Sequence, residues 1–495
     1  MPQGTANQQI TIDQLERAAT NTDEQTRIGL AAQVLARAPV GSEVCHRALS
    51  MLRETAGGKL AGSAQWILGC FYLQHLLLPD GPDQARHWLN FAAAAGHAPA
   101  VDRMANLYLH GPGNDRDPEQ ALHLLEKLAE AGFKRATWEV GYLKSTLDEI
   151  IDPVGAITTF ARAAALGYGP AFYSLGLRFA SGAGVDADPA FALALLLWAD
   201  RYGVADARAA ADALEPSDAT SAASREWLTA LERNYTEGAQ LRAQLSAPGN
   251  AIPQSRPAIL DRIECHFADL GHPALRRQDG RLVAIGRSDT PYRACPEPIQ
   301  WLGSQPRVAR IRNFITREER SQITSMISGA LVPPQRYTGG SGESTEDVLF
   351  NGTGMYFSAL TTDVMVRTIE HRIAQATGLD IRGFEPSSII GYAPGQEYQP
   401  HVDYFNEREL AENRKLVDDP GGQRVVTFLI CLQPAESGGE TLYPKADLKV
   451  AHTQDHAMLH YNTLPDGAPD EMSLHHGLPI ERGRKLILRT AIRAT

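Results

Sequence analysis

The chain has 495 residues, 43% of them hydrophobic and 21% charged, which is ordinary for a soluble protein and too long for one hydrophobic core. Two or three domains are expected. A formal net charge of -11 argues against an electrostatic grip on phosphate backbones, which needs a basic face, so nucleic acid is not expected as a partner.

The first 25 residues are polar and acidic where an export signal would be basic and then apolar. Apolar runs further on are broken by charge well before the roughly 18 to 20 residues that a membrane helix requires. Five cysteines (Cys45, Cys70, Cys265, Cys295, Cys431) lack a CxxC spacing, and their odd number makes no disulfide framework. These features predict a cytoplasmic protein that does not engage membranes, its thiols mostly buried.

The first half repeats itself. Gly96, Gly132, Gly167 and Gly203 lie 36, 35 and 36 residues apart; an alanine follows each by four residues (Ala100, Ala136, Ala171, Ala207) and another precedes each by eleven (Ala85, Ala121, Ala156, Ala192). Stretches such as EQALHLLEKLAEAG carry apolar residues at helical spacing and end on the glycine, the favoured left-handed cap. A second helix follows in each unit, and small residues at fixed places let neighbouring helices approach closely. Each unit is therefore read as a helical hairpin that buries its face by stacking on the next, giving an α-solenoid over residues 1–245. The AA-x-x-G-x-x-x-A core and the turn Gly182-Ala183-Gly184-Val185-Asp186 resemble Sel-one-like repeats, relatives of the tetratricopeptide repeat, over roughly residues 45 to 215. Helical segments before residue 58 and around 221 to 245 are expected as end caps.

Ser246 to Pro257 is rich in breakers and reads as a linker, opening a connecting segment over 246–305. That segment holds a helical piece, ILDRIECHFADL, and an Arg/Gly-rich stretch expected to form a hairpin or to pack against either neighbour. From residue 306 to 495 short β-type runs alternate with glycines and prolines. RVARIRNFI reads as a strand, TREERSQITSMISGA as a helix capped at Thr316, and DVMVRTIEHRIAQATG as a helix ending at Gly378. SSIIGY, YQPHVDYF, RVVTFLICL, DHAMLHYN and KLILRTAIR follow as strands. Many short strands after flanking helices predict a double-stranded β-helix, or jelly-roll. The fold class is multidomain, an α-solenoid followed by this β-domain.

His401 and Asp403 form the only H-x-D among fifteen histidines. On a strand both side chains would leave the same face and reach one ion. Two histidines and one carboxylate cover one face of octahedral iron(II) and leave positions for a chelating keto acid and dioxygen. His475, 74 residues downstream, is positioned to supply the second histidine, with His476 beside it. A keto acid's distal carboxylate needs a buried cation, and Lys485 opens the apolar strand LILRTAI.

Together these residues resemble the prolyl 4-hydroxylase family of iron(II)/2-oxoglutarate dioxygenases. The Y-x-x-G-x-x-Y-x-x-H-x-D-Y-F signature appears as Tyr392 to Phe405, G-G-E-T as Gly438 to Thr441, S-L-H-x-G-x-P as Ser473 to Pro479, and G-x-K as Gly483 to Lys485. The resemblance covers about residues 306 to 495. It selects His475 over His476, because the ligand precedes x-G-x-P and lies ten residues before the lysine. It implies His401, Asp403 and His475 as metal ligands and catalytic centre, Lys485, Tyr392 and Thr441 as 2-oxoglutarate contacts, and Arg424 as a substrate-side residue. Tyr398 and Tyr404 stand near the pocket or in the core. The implied cofactors are Fe(II), 2-oxoglutarate and O2, with ascorbate as accessory. Retention of Asp403, which related halogenases replace, implies hydroxylation.

Two departures bear on the substrate: Leu486 follows the lysine where relatives usually have tryptophan, and Asn351-Gly-Thr-Gly-Met-Tyr-Phe357 replaces the usual R-T-S segment. The leading expectation is a prolyl residue of a protein or peptide, recruited by the helical repeats acting as a protein-partner surface. The alternative is a free amino acid or small biosynthetic intermediate. A third reading, a repeat scaffold with a relic oxygenase domain, is disfavoured because such relics usually lose a ligand or the lysine, and all four residues are present.

Overall fold

The computed structural model describes residues 23–75, 80–110, 116–214, 217–245, 257–286, 290–327, 331–332, 335–337, 344–346, 349–358, 360–410 and 422–494, with residues 15, 20 and 78. The expected linker, apart from Pro257, lies outside them. Two compact units form: residues 1–131 with 248–254, and residues 132–247 with 255–495.

The first unit holds helices α1 (Glu24–Leu35), α2 (Glu43–Thr55), α3 (Ala61–Gln74), α4 (Gly81–Ala94), α5 (Ala98–His110) and α6 (Pro118–Glu130). In the second, the repeats continue as α7 (Lys134–Thr146), α8 (Pro153–Ala165), α9 (Gly169–Ser181), α10 (Pro189–Arg201), α11 (Ala207–Asp212) and the 28-residue α12 (Asp218–Leu245). The local chemistry repeats with the period. Asp117, Asp152 and Asp188 each precede a proline at the first helical turn and accept a backbone N–H of that turn, which satisfies donors the helix cannot. The four periodic glycines adopt φ of +77°, +83°, +76° and +71°, and all eight counted alanines are buried. Another register emerges from the packing. A Cβ at Gly69, Gly141 or Gly176 would meet Leu89, Phe160 or Leu196 of the paired helix at 2.7 to 2.8 Å, so only glycine lets those hairpins close.

Residues 257–284 continue the second unit as α13 (Pro257–Ala268) and the hairpin β1 (Leu275–Gln278) and β2 (Arg281–Ala284), turned by Asp279 and Gly280, both at positive φ. The segment packs on the repeats: Arg162 Nε donates to Glu264 Oε1 at 2.5 Å, and Ala284 N donates to Thr158 Oγ1 at 2.9 Å.

The C-terminal part carries α14 (Arg317–Met326) and α15 (Val364–Thr377) against two antiparallel sheets. Its remaining strands are β3 (Gln300–Ser304), β4 (Arg307–Ile311), β5 (Gln335–Tyr337), β6 (Ser344–Glu346), β7 (Thr353–Tyr356), β8 (Ser388–Tyr392), β9 (Tyr398–His401), β10 (Arg424–Gln433), β11 (Ser437–Gly438), β12 (Thr441–Tyr443), β13 (Leu448–Val450), β14 (Ala457–Tyr461), β15 (His475–Gly477), β16 (Ile480–Arg482) and β17 (Lys485–Arg493). The larger sheet runs β3-β4-β14-β10-β17-β8-β7 and the smaller β13-β12-β15-β9, the double-stranded β-helix arrangement. The Thr316 capping box with Glu319 starts α14, and Gly378 at φ +71° ends α15, both as their sequences predict. Strand β17 is covered on both faces: Leu488, Thr490 and Ile492 are buried on one side, while Lys485, Ile487 and Arg489 line a cavity on the other.

Within the second unit α14 is buried against the last repeats although its sequence is polar. Glu318 and Glu319 are only 3% and 1% exposed. Arg178 of α9 grips Glu318 with both terminal nitrogens at 2.9 and 3.0 Å and also reaches Ser174 O and Ser145 Oγ. Tyr142 of α7 donates to Glu319 at 2.7 Å, and Arg372 of α15 donates to the same carboxylate at 2.7 and 3.1 Å. Arg320 bonds Asp206 at 2.9 Å and also pairs with Asp455. Charges taken out of water survive only when so completely paired.

Candidate active site

The pocket lies between the two sheets. Strands β8, β10 and β17 contribute Ile390, Tyr392, Thr427, Leu429, Lys485, Ile487 and Arg489; β9, β12 and β15 contribute Tyr398, His401, Thr441, His475 and Gly477. The space between its walls is about 450 Å³, open solvent at the mouth included.

His401 and His475 are directly opposed across the β9–β15 pair. The expectation that His401 and Asp403 stand on one strand is corrected: β9 ends at His401, and Asp403 lies in the turn beyond. Once freed of sheet pairing the backbone bends, and the carboxylate swings to both imidazoles. Asp403 Oδ1 is 3.7 Å from His401 Nε2, and Oδ2 is 3.9 Å from His475 Nε2. One ligand atom from each residue lies within 4.8 Å of the other two. His401 Nδ1 bonds Gln399 O at 2.7 Å and His475 Nδ1 bonds Ser473 O at 2.9 Å. Those carbonyls put the proton on Nδ1 and leave the Nε2 lone pairs aimed inward. Burial pulls both imidazoles down, His475 well below its ordinary pKa, which keeps them neutral donors. The set, two imidazole nitrogens and one carboxylate oxygen with an open pocket beside them, fits iron(II).

Around Asp403 the structure assembles residues that sequence reasoning missed. Thr427 Oγ1 donates to Oδ2 at 2.6 Å and itself accepts from Asn462 Nδ2 at 3.1 Å. His460, fully buried and bonded through Nδ1 to Tyr443 at 2.9 Å, places Nε2 3.4 Å from Oδ2, and Arg489 Nη2 lies 3.5 Å from Oδ1. Burial alone would raise the Asp403 pKa, but Arg489 and the histidines hold it well below the usual range. Nothing in the sequence marks His460 or Asn462. Arg489 could have been found, because strand alternation puts it on the face of Lys485.

Lys485 Nζ, 4% exposed as a residue, donates to Gly439 O at 2.6 Å and lies 5.2 Å from the Tyr392 ring centre. Among the described residues no carboxylate is recorded in ion-pair contact with it. Burial lowers its pKa to about 8, opposed by Cys431 and Glu440. Tyr392 is its direct partner across β8 and β17, and burial raises the tyrosine pKa, so its hydroxyl stays protonated. Thr441 faces the same space, its hydroxyl 2.9 Å from His452 Nε2. A buried ammonium in a pocket whose lining also carries Tyr392 and Thr441 has the chemistry to receive a carboxylate.

Arg424 is not brought to the pocket lining. It forks onto Glu385 at 2.7 Å through Nε and Nη2, beside Arg493 on the same carboxylate and 4.4 Å above the Phe405 ring. His476 bonds Glu397 at 2.8 Å, away from the triad, and Tyr398 stacks on His401 with ring centres 3.6 Å apart. Tyr404 is not a lining residue. No described helix is long and apolar enough to cross a membrane.

Residues 387–493 match the family model of the 2OG-Fe(II) oxygenase superfamily, and residues 62–97, 98–133 and 170–197 match the Sel1 repeat. The intervening residues 134–165 fold as the same hairpin. "Probable prolyl 4-hydroxylase 3" of Arabidopsis thaliana is 30% identical over 208 residues, 38% of this chain and 69% of that protein. "Prolyl 4-hydroxylase 13" of the same plant is 30% identical over 213 residues, 40% and 74% of the two chains. Among solved structures, a viral collagen prolyl hydroxylase from Paramecium Bursaria Chlorella virus-1 in complex with 2OG is 24% identical, covering 38% of this chain and 96% of that one, with a TM-score of 0.29. A Sel1 repeat protein from Oxalobacter formigenes is 24% identical over 53% of this chain and 76% of its own, with a TM-score of 0.36. The chain belongs to the prolyl 4-hydroxylase family of 2OG-Fe(II) oxygenases, enzymes that hydroxylate, and carries Sel1 repeats ahead of that domain.

Proposed function

We propose that the chain hydroxylates an unactivated C–H bond of a prolyl-type substrate, with 2-oxoglutarate and O2 as co-substrates. The observation that carries this reading is the pairing, in one pocket, of the inward-facing His401, Asp403 and His475 with a buried ammonium, Lys485, that has no carboxylate in ion-pair contact among the described residues. Iron(II), when bound, supplies the oxygen chemistry: 2-oxoglutarate loses carbon dioxide to become succinate, taking one atom of O2, and the other enters the C–H bond.

The chain's own residues hold and orient. His401, Asp403 and His475 provide one face of ligands. Lys485 takes the distal carboxylate of 2-oxoglutarate as an ion pair, with Tyr392 and Thr441 as hydrogen-bond donors to it. Thr427 and Asn462 fix the Asp403 rotamer, and the two backbone carbonyls fix the histidine tautomers. Ascorbate would act as an accessory reductant. Arg424, engaged by Glu385, supports the β10 end of the domain rather than contacting substrate.

The names of the relatives favour a prolyl residue within a polypeptide. The second reading, a free amino acid, is favoured by the position of Arg489 on the pocket wall. Part of the repeat surface, Tyr142 and Arg178, is taken up by α14, so recruitment of a protein partner would use other faces. Succinate formation with iron(II) and 2-oxoglutarate tests the reading, with His401→Ala and His475→Ala as controls. Turnover that persists in both variants would refute it.

A further inference from the structure

We propose that Arg489 is the anchor for a carboxylate on the substrate, so that the substrate is a free amino or imino acid rather than an internal residue of a polypeptide. The inference rests on the iron and 2-oxoglutarate reading above and names the substrate class of that same site.

Lys485, Ile487 and Arg489 share one face of β17 and all line the pocket. Four residues of strand span about 13 Å, so the two cations mark its opposite ends. A 2-oxoglutarate molecule whose distal carboxylate sits on Lys485 uses the cation at one end of that face. The guanidinium at the other end stands beside Asp403.

Its present partners do not explain it. The side chain is 16% exposed, and its one recorded ion pair among the described residues is to Asp403 Oδ1, at 3.5 Å, a long contact for a charged pair. Glu385, whose charge also acts on Arg489, is paired with Arg424 and Arg493. A guanidinium offers five N–H donors in a fork that matches a carboxylate with two parallel bonds, and among the described residues this one, on the pocket wall, makes one hydrogen bond.

Charge balance points the same way. With iron(II) and 2-oxoglutarate in place, the pocket holds four positive charges, two on the metal and one each on Lys485 and Arg489. Against them stand Asp403 and the two carboxylates of 2-oxoglutarate, three negative charges. One positive charge remains in a buried site, which is costly unless an anion arrives with the substrate. Tyr356, Ser388 and Arg489 lie in one row across β7, β8 and β17, and Tyr356 is 64% exposed.

The experiment uses the full chain. Calorimetry with manganese(II) in place of iron first measures 2-oxoglutarate binding to the wild type, Lys485→Met and Arg489→Met. Wild-type binding that is lost in Lys485→Met establishes the underlying reading; no binding by the wild type would remove that reading itself. Succinate formation is then measured with the protein amino acids, L-proline and L-pipecolate, their carboxamides, and a capped prolyl peptide. We expect one or more free acids to stimulate turnover and the matching carboxamide to fail. In Arg489→Met the KM for that acid should rise about 10- to 100-fold, the loss of one charge-assisted pair, while its 2-oxoglutarate affinity falls much less than that of Lys485→Met. The proposal is overturned if the capped peptide is turned over equally by wild type and Arg489→Met, if no free acid stimulates, or if Arg489→Met weakens 2-oxoglutarate as much as Lys485→Met does.

Discussion

Two arginines in the second compact unit, Arg178 buried and Arg489 partly buried, are held in opposite ways. Arg178, between the repeats and α14, is saturated: two carboxylate oxygens at 2.9 and 3.0 Å, a carbonyl, a hydroxyl, and the Phe160 ring 4.2 Å below its guanidinium carbon. Arg489, in the pocket, has one carboxylate contact at 3.5 Å, and Lys485, at the other end of the same strand face, has a carbonyl and the Tyr392 ring. A cation paid for in full by its own fold is structural, since any rearrangement costs it several bonds. One left partly unmatched in a lined cavity is poised for a ligand's charge. Polarity and burial alone do not separate the two classes; the completeness of pairing does.

The comparison can be broken at several points. Removing a metal ligand should have the largest effect: His475→Ala should reduce succinate formation to background while leaving the far-ultraviolet circular dichroism of the wild type. Arg178→Met, which strands Glu318 without its partner, should lower unfolding free energy by about 3–5 kcal/mol, and the double variant Arg178→Met/Glu318→Leu should recover most of it. Denaturant titration reads both, and equal stability of the two variants would contradict the assignment of this pair as a closed structural unit. Lys485→Met should weaken 2-oxoglutarate by about 2–5 kcal/mol in calorimetry, with much less effect on folding than Arg178→Met, because the cation it deletes lacks a carboxylate partner. Thr427→Val should cost about 10- to 100-fold in metal affinity, as losses of groups that orient a ligand do, measured by competition with a chelator.

The smallest effect is one of pH. Lys485 titrates near 8 in the folded protein, below its ordinary 10.5, and only the ammonium pairs with a carboxylate. Affinity for 2-oxoglutarate should be flat below pH 8 and fall about tenfold per unit above it. The same depression makes the buried charge a cost to folding below pH 8, relieved as pH rises from 8 toward 10.5. Affinity that stays constant to pH 9.5 would show that Lys485 does not hold the co-substrate.

Much of the β-domain was legible because its signals are local. The Thr316–Glu319 capping box and the Gly378 cap mark two helices, and alternation plus β-branched residues mark β8, β10 and β17. The helical repeat was legible through glycine and alanine periodicity, since close helix contact admits few other residues. Its Gly69, Gly141 and Gly176 register escaped notice, because a glycine inside a helix looks like a weak residue until the partner helix shows what fills the space. The polar helix α14 gave no sign of burial. Its glutamates look like a solvated face, and only Arg178, Tyr142 and Arg372, remote in sequence, reveal them as paired.

At the site, His401, Asp403 and Lys485 were legible through residue type and spacing, since a lysine opening an apolar strand has few other uses, while the choice of His475 over His476 came from the family resemblance. Residue types and their spacing carry the fold class, the repeat, and the histidines, carboxylate and lysine from which the site is built. The packing of distant strands sets the rest: Asp403 leaves the strand to meet both histidines, Thr427, Asn462 and His460 surround it, Arg424 is engaged by Glu385, and Arg489 lines the pocket beside Asp403. The reason is physical: donor type and periodicity are properties of residues and their near neighbours, whereas the pairing of a charge depends on which distant groups the fold brings within about 3 Å of it.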